Sequence, residues 1–231
     1  QVDYRRISTF SSVDNAYLFS YGRRNVGIRG LSVGGNFKVI YRKAGKFANA
    51  WGFGLDAGVK YRWKQWKLGL MARDVSTTYN AWAYNTSEFE SVFAQTDNAI
   101  PVSSVEITLP TWTLGICRSV PFWKDRILVT PALDMVTTFD GKRNTVIKSN
   151  FLSIDPRFGL EVKAYNLVAI RGGIGSWQKI KNFEQGENWN YQINFGIGLR
   201  WKAVSIDYAI TDLGNQAEAL YSHVFSLKAS F

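Results

Sequence analysis

Residues 189 to 201 read Trp-Asn-Tyr-Gln-Ile-Asn-Phe-Gly-Ile-Gly-Leu-Arg-Trp, and two kinds of side chain alternate along the whole run. Every odd position holds a large apolar or aromatic residue, and every even position holds a polar residue or glycine. Because successive side chains of a β-strand point to opposite faces, the run predicts a strand with one apolar and one polar face.

Such a strand fits a soluble sheet, whose apolar face covers a core, or the wall of a membrane barrel. Three features favour the barrel. The run is longer than a typical soluble strand and matches the roughly 9–11 tilted residues that cross a bilayer. Aromatic residues close both ends, as expected at the two lipid–water interfaces. The other face carries Asn, Gln, Gly and Arg, which suit a wet or hydrogen-bonded lumen.

The same alternation recurs along the chain. Its apolar sets are Leu31/Val33/Phe37/Val39/Tyr41, Trp51/Phe53/Leu55/Ala57/Val59/Tyr61, Trp66/Leu68/Leu70, Trp112/Leu114/Ile116, Ile127/Val129/Leu133/Met135, Val168/Ile170/Ile174 and Val204/Ile206/Tyr208/Ile210. Residues 221–231 form a last amphipathic stretch that ends on Phe, similar to the C-terminal signal read by the barrel-assembly machinery of bacterial outer membranes. The pattern therefore predicts an all-β fold, a transmembrane antiparallel up-and-down β-barrel of the outer-membrane type.

Composition narrows the function classes. The 231 residues predict a single domain over 1–231, and no stretch approaches the ~18 uninterrupted apolar residues of a membrane helix. The single Cys117 excludes an internal disulfide, and the single His223 excludes a histidine-based metal cluster, so we expect neither a metal nor a cofactor. The net charge of +10 has two interpretations: Lys and Arg spread over turns, loops and lumen, or attraction to an acidic partner or lipopolysaccharide phosphates. Without a basic run or binding motif, nucleic acid is not expected.

The connections between the predicted strands alternate between short and long, as in a meander across a membrane with short periplasmic turns and longer outer loops. About eleven strands are predicted between Asp14 and Phe231, with Val2–Phe10 as a weak twelfth. Bacterial single-chain barrels have an even number of strands, and an open edge in lipid leaves backbone groups unpaired. Either the weak strand completes twelve, or residues before Gln1 supply missing N-terminal strands.

The polar positions of the alternating stretches carry both charge signs and are predicted to face the lumen. The predicted lumen network comprises Asp56, Lys60, Arg62, Asp134, Glu161, Arg171, Arg200 and Asp207, with Lys38, Arg73 and Lys163 beside them. It forms either a conduction path or ligand site, or a mutually neutralising network that fills the barrel. No nucleophile or fixed carboxylate spacing accompanies these charges, so an enzyme is not predicted.

The longest predicted connection is an outer loop over residues 76–103. It is rich in aromatic side chains, which argues against disorder, and connections of this length are usually functional or disordered. Trp82, Tyr84, Phe89 and Phe93 are the candidate partner-binding residues. The loop either docks a partner through these side chains or folds inward and plugs its own barrel.

Several of these stretches resemble one protein family. Residues 51–61 with 66–74, the segments Arg157–Glu161 and 167–175, and the ending 206–215 followed by a Phe-rich strand are similar to the PorV/PorQ family of type IX secretion outer-membrane proteins. The similarity covers most of the chain from about Asp14 onward. The chain departs from the family pattern at its start, and the resemblance implies that it is the C-terminal part of a longer protein whose signal peptide and first strands precede Gln1.

The resemblance implies a FadL-like barrel of about 14 strands in the full protein, with about 11–12 in this chain, in the outer membrane of a Bacteroidetes-type Gram-negative bacterium. It implies a non-enzymatic role: binding secreted cargo or the secretion barrel and delivering cargo to surface attachment. The implied partners are outer-membrane lipid, lipopolysaccharide, the type IX secretion barrel and the C-terminal domains of its cargo. The alternative function is a FadL-like transporter or porin for small hydrophobic solutes.

Overall fold

The computed structural model describes residues 11–85, 87, 103–182, 186–211 and 222–229. These residues form β-strands and their connections, in the order β1 (Ser12–Arg24), β2 (Leu31–Ala44), β3 (Ala48–Trp63), β4 (Trp66–Arg73), β5 (Thr78–Tyr84), β6 (Ser103–Thr108), β7 (Thr111–Arg118), β8 (Val120–Phe122), β9 (Ile127–Thr138), β10 (Ile147–Lys148), β11 (Ser153–Ala164), β12 (Val168–Asn182), β13 (Gly186–Trp201), β14 (Val204–Thr211) and β15 (Ser222–Ala229). Among them, no helix is long and apolar enough to cross a membrane.

All fifteen strands belong to one sheet. Its main path runs β1-β2-β3-β4-β7-β9-β11-β12-β13-β14-β15; in addition, β5 pairs with β3 and β6, β8 pairs with β9, and β10 pairs with β11. The prediction of an all-β, antiparallel, up-and-down sheet is confirmed. Within the described residues the sheet is not closed, because β1 and β15 stand at its two ends. The weak strand predicted over Val2–Phe10 lies outside the described residues.

The strand count differs from the predicted eleven to twelve because short breaks divide long strands. β4 and β5 both pair with β3, and the turn between them has left-handed backbone at Asp74 and Thr77. Pro110, which has no N–H to donate, lies between β6 and β7. The two-residue β10 adds one more short strand. The period-two alternation predicted the long strands correctly, but it does not indicate where a strand is interrupted.

Two connections also differ from the prediction. The chain over 76–103 begins with strand β5 and ends at β6, so the connection proper covers residues 85–102. The polar stretch 176–188 is largely strand, since β12 and β13 stay paired as far as Asn182 and Gly186. The register shifts between Gly175 and Gln178, which marks a β-bulge.

Contacts within the chain divide it into two units. The first contains the described residues within Gln1–Arg23, Gly34–Ala57 and Ala72–Pro110, and the second those within Arg24–Val33, Gly58–Met71 and Thr111–Phe231. In the first unit, residues 48–57 of β3 alternate strictly between buried and exposed. Trp51, Phe53 and Leu55 are exposed, whereas Gly52, Gly54 and Asp56 are buried. The apolar face is therefore the exposed one.

In the second unit, too, the apolar face of the sheet is the exposed one. In β13, Ile193, Phe195 and Ile197 are exposed, and the Asn, Gln and Gly residues between them are half-buried or buried. Neighbouring strands keep the register: Phe195 stands opposite Gly172 and Ile210, and Ile197 opposite Ile170 and Tyr208. The large side chains exposed on this face include Leu114, Ile116, Phe158, Leu160, Ile170, Leu199, Ile206, Phe225 and Leu227. The predicted assignment of apolar and polar residues to opposite faces is thus correct, with the apolar face exposed. We call the other face, which carries the polar positions, the polar face.

Candidate functional site

The polar face of the first unit carries a cluster centred on one lysine. The Lys38 cluster consists of Lys38, Asp56, Asp74, Thr78 and Asn36. The Lys38 ammonium lies 2.8 Å from Asp56 Oδ1 and 2.5 Å from Asp74 Oδ1. Thr78 donates its hydroxyl hydrogen bond to Asp74, and Asn36 Nδ2 donates to Asp56 Oδ2 over 3.4 Å. Two carboxylates therefore share one cation and are further held by neutral donors.

Local backbone structure builds this cluster. The turn after β4 gives Asp74 a φ of 53° and Thr77 a φ of 62°, and the Asp74 N–H donates to Asp56 Oδ1 over 3.0 Å. A β-branched residue at positive φ is rare and needs support from its surroundings. Gly54 supplies room, because a Cβ there would collide with the Thr78 hydroxyl and approach Lys38 Cε to 3.2 Å. The cluster thus requires a glycine on β3.

The three charged side chains of the cluster are largely removed from water. Exposure is 15% for Lys38, 7% for Asp56 and 16% for Asp74. Charges at this depth are tolerated only when paired and hydrogen-bonded, since a buried lone charge is costly. The cluster is therefore a strongly interdependent structural element of the polar face.

A second group in the first unit is the Arg42 cluster, formed by Arg42, Asp14, Glu106 and Trp82, and Tyr84 lies on the same face of β5 as Trp82. Arg42 lies 3.2 Å from Asp14 and 3.0 Å from Glu106, and its guanidinium lies 5.2 Å from the Trp82 ring centroid. Trp82 Nε1 donates to Glu106 over 3.1 Å, and the Tyr84 hydroxyl lies 2.9 Å from Ser104 Oγ.

Trp82 and Tyr84, two of the predicted partner-binding residues, thus lie half-buried on the polar face of β5. They fit there because they stand opposite Ala50 and Ala48 of β3, whose small side chains leave space. The other two candidates, Phe89 and Phe93, lie outside the described residues. Trp82 and Tyr84 thus share the face of the charged clusters, and their role in partner binding stays a prediction.

The polar face of the second unit carries the Arg171 cluster, formed by Arg171, Glu161, Asp207 and Lys163. Arg171 Nε lies 2.7 Å from Glu161 Oε2, and Arg171 Nη1 lies 2.5 Å from Asp207 Oδ1. Lys163 Nζ lies 3.5 Å from Glu161 Oε1. Glu161 and Arg171 are direct cross-strand partners, whereas Arg171 and Asp207 belong to strands separated by β13. Three of the predicted lumen residues therefore do meet in one network.

The remaining predicted lumen residues behave differently. Asp134 is exposed and leans over its cross-strand partner Gly115. Lys60, Arg62 and Arg200 are exposed. Within the described part of the chain, none of these four forms an ion pair. Of the predicted network, Asp56 pairs with Lys38 in the first unit, and Glu161, Arg171 and Asp207 meet in the second.

Sequence reasoning missed four charged residues of these clusters, namely Asp14, Arg42, Asp74 and Glu106. Arg42 was detectable, since it continues the alternation Asn36, Lys38, Ile40 on the polar face of β2. Asp74 was not, because the left-handed turn interrupts the period of two on which the assignment rests. Thr78, the partner of Asp74, was not predicted for the same reason.

The clusters neutralise charge and link strands. Across residues 11–85, 103–182, 186–211 and 222–229, no three His, Cys, Asp or Glu side chains are placed to hold a metal ion. Comparison with models of known protein families and with curated proteins finds no match for this chain.

Proposed function

We propose that this chain forms the wall of a non-enzymatic outer-membrane β-barrel, with its exposed apolar face in contact with lipid. The observation that carries the proposal is the exposure of the apolar face of the sheet. The large apolar side chains are exposed, while Lys38, Asp56 and Asp74 are largely buried on the other face. A soluble monomer rarely exposes a contiguous apolar patch larger than a few hundred Å². Lipid is the solvent that such a face requires.

Tryptophan spacing supports the same proposal. Trp51 and Trp63 in β3 are twelve positions apart on the exposed face, and so are Trp189 and Trp201 in β13. At roughly 3.3 Å per residue, twelve positions span about 40 Å of strand. A tilt of about 45° reduces this to about 28 Å, close to the ~25 Å apolar band between the aromatic girdles of membrane barrels.

For the more specific role, we propose that the barrel serves a type IX secretion system, binding secreted cargo or the secretion barrel and passing cargo to surface attachment. The support is the resemblance of residues 51–61, 66–74 and 206–215 to the PorV/PorQ family. The proposed localisation follows from it, an outer membrane of the Bacteroidetes type.

One observation favours the alternative, transport of a small hydrophobic solute through a FadL-like barrel. Beside the Arg171 cluster, a hollow of about 280 Å³ is lined by small or apolar groups of the polar face, among them Gly173, Gly196, Ala209 and Val224. It offers an apolar surface next to charged groups, as an amphipathic solute requires.

Cysteine labelling tests the membrane proposal. In a Cys117→Ser background, Gln192→Cys and Ile193→Cys place thiols on opposite faces of one strand. In bilayers, we expect a membrane-impermeant maleimide to modify the thiol at 192 and not the one at 193, while a brominated lipid quenches a fluorophore attached at 193 only. Equal modification at both positions, or release of the chain from membranes by alkaline carbonate, would contradict the proposal.

Co-purification tests the more specific role. A tagged chain, extracted in mild detergent from its own host, should retain the secretion barrel or secreted proteins through their C-terminal domains. The contrary outcome is a barrel that stays in membranes under alkaline carbonate but co-purifies, after detergent extraction, with neither the secretion barrel nor secreted proteins. If it then carries a bound amphipathic molecule detectable by mass spectrometry, transport replaces the secretion role.

A further inference from the structure

Three cationic side chains in the second unit surround one cavity. The cavity, of about 360 Å³, is lined by Arg24, Asn25, Gly30, Lys60 and Arg62, and we call it the Arg62 pocket. Arg24 ends β1, Asn25 and Gly30 belong to the turn before β2, and Lys60 and Arg62 lie on the polar face of β3. All three cations are exposed, so a ligand in water reaches them directly.

The walls of the pocket are fixed by backbone contacts. The Gly30 N–H donates to Asn25 Oδ1 over 2.9 Å, and the Arg62 N–H donates to the Gly30 carbonyl over 3.0 Å. Gly30 has a φ of +92°, and a Cβ there would collide with the Arg62 carbonyl oxygen. Only glycine therefore allows the turn to approach β3 this closely. The turn and the strand are held together before any ligand arrives.

Among the described residues, no carboxylate neutralises the charges of the pocket. Lys38, Arg42 and Arg171 each contact two carboxylates, whereas no carboxylate of the described residues forms an ion pair with Arg24, Lys60 or Arg62. Like charges that converge on one cavity repel each other, and a bound anion relieves that repulsion. Two guanidinium groups and one ammonium offer planar bidentate donors and a point charge, the combination that suits phosphate oxygens.

We propose that the Arg62 pocket binds a phosphate group, supplied by a free phosphate compound or by a phospholipid headgroup. Phosphate carries more charge and more acceptor oxygens than a carboxylate, and so matches three cations better. The site depends on the end of β1, the turn that follows it and β3. The phosphate site goes beyond the proposed barrel function, and its test does not depend on that function.

Calorimetry in a neutral detergent at low ionic strength tests the site, because screening weakens exposed charge interactions. The test variant is Arg24→Gln/Lys60→Gln/Arg62→Gln. Its matched control is Lys43→Gln/Arg126→Gln/Lys142→Gln, which removes the same net charge at exposed positions elsewhere. The probes are inorganic pyrophosphate and short-chain phosphatidic acid, each titrated into wild type and both variants.

We expect saturable binding to wild type and to the control, weakened at least tenfold in the test variant, which corresponds to about 1.4 kcal/mol. Pyrophosphate binding with this dependence identifies a free phosphate compound as the source, and dependence seen only with phosphatidic acid identifies a headgroup. Equal weakening in both triple variants, or no saturable binding to wild type, overturns the proposal. Thermal unfolding shows whether the test variant is folded. Pyrophosphate or phosphatidic acid should raise the Tm of wild type and of the control, but not that of a folded test variant.

Discussion

Arg171 in β12 reaches Asp207 in β14 across the strand between them, with 2.5 Å separating Nη1 from Oδ1. The bridge passes over Gly198 of β13, where a Cβ would collide with Asp207 Oδ1 and approach Arg171 Nη1 to 2.9 Å. The same device recurs in the first unit, where Thr78 and Lys38 lie over Gly54 of β3. Glycines in these strands therefore make room for ionic bridges that skip a strand.

Gly198→Ala should destabilise the protein, because its methyl group displaces the Arg171–Asp207 pair. We expect a loss of about 1–3 kcal/mol, the range for overfilling a packed site. Gly172→Ala is the matched control: it lies on the exposed face of β12, and its Cβ would meet only the Phe195 ring at 3.9 Å. There the substitution should be neutral or stabilise by up to about 1 kcal/mol. Thermal unfolding in detergent measures both, and equal losses would contradict the bridging role of Gly198.

Lys38→Met should destabilise the first unit strongly, because Asp56 and Asp74 then lose the cation they share. Breaking a buried ion pair on one side costs about 3–5 kcal/mol. Lys43→Met, at an exposed position of the same strand, is the control and should change stability by less than about 0.5 kcal/mol.

A rescue experiment separates charge from packing in the Lys38 cluster. Lys38→Met/Asp56→Asn/Asp74→Asn removes the uncompensated carboxylates, and we expect it to recover most of the loss. If the triple variant is as unstable as Lys38→Met alone, the methylene packing of Lys38, and not its charge, holds the cluster.

Sequence periodicity predicted the faces of the strands well because a period of two depends only on backbone geometry. Phe195 and Asn194 were assigned to opposite faces, and they lie there. The ion clusters were harder to predict, since Arg171 and Asp207 meet across a strand and no local pattern specifies that contact. Asp74 was hidden by a turn in left-handed conformation, which alternation does not reveal. Closure of the sheet depends on strand pairings that alternation within single strands does not encode.

Phe195→Arg should destabilise the protein in a bilayer by about 2–4 kcal/mol, the cost of arginine near the middle of the lipid face of a barrel. Because Phe195 is 64% exposed, the loss reflects the cost of placing arginine in lipid and not a loss of core packing. The matched control is Asn194→Arg on the polar face, which loses the hydrogen bond that Thr211 donates to Asn194 and should cost about 1 kcal/mol. Urea unfolding in liposomes compares the two, and the opposite ranking would reverse the assigned faces.

The carboxyl of Asp140, in the connection between β9 and β10, should have a pKa below its usual value. Hydrogen bonds from Arg143 Nε, 2.7 and 2.9 Å long, hold the pKa of the Asp140 carboxyl below its usual value. The pairing is therefore fully present above the ordinary aspartate pKa of about 3.9 and is lost as the pH falls through the lower folded value. NMR titration of the carboxyl carbon should show this depression in wild type. Arg143→Gln should return the pKa toward its usual value, and an unchanged titration would show that Arg143 is not the cause.

Trp82→Ala/Tyr84→Ala should lower the thermal stability of the protein and leave partner binding intact. Both side chains are half-buried on the polar face, where Trp82 donates to Glu106 and lies under Arg42. Truncating buried aromatics costs about 3–5 kcal/mol each, and half-burial reduces the expected total to about 2–4 kcal/mol. Tyr79→Ala is the control, because Tyr79 lies on the exposed face of the same strand.

Measuring co-purified cargo beside thermal unfolding distinguishes the two roles of these aromatics. A docking role requires that they leave the face where they now contact β2 and β6, so their removal would abolish cargo retention without destabilising the barrel. An inward-facing role requires the reverse: the Arg42 cluster loses Trp82, the hydrogen bond between Tyr84 and Ser104 is lost, and cargo retention stays unchanged. A destabilised barrel that still retains cargo is the outcome we expect from their position opposite Ala48 and Ala50.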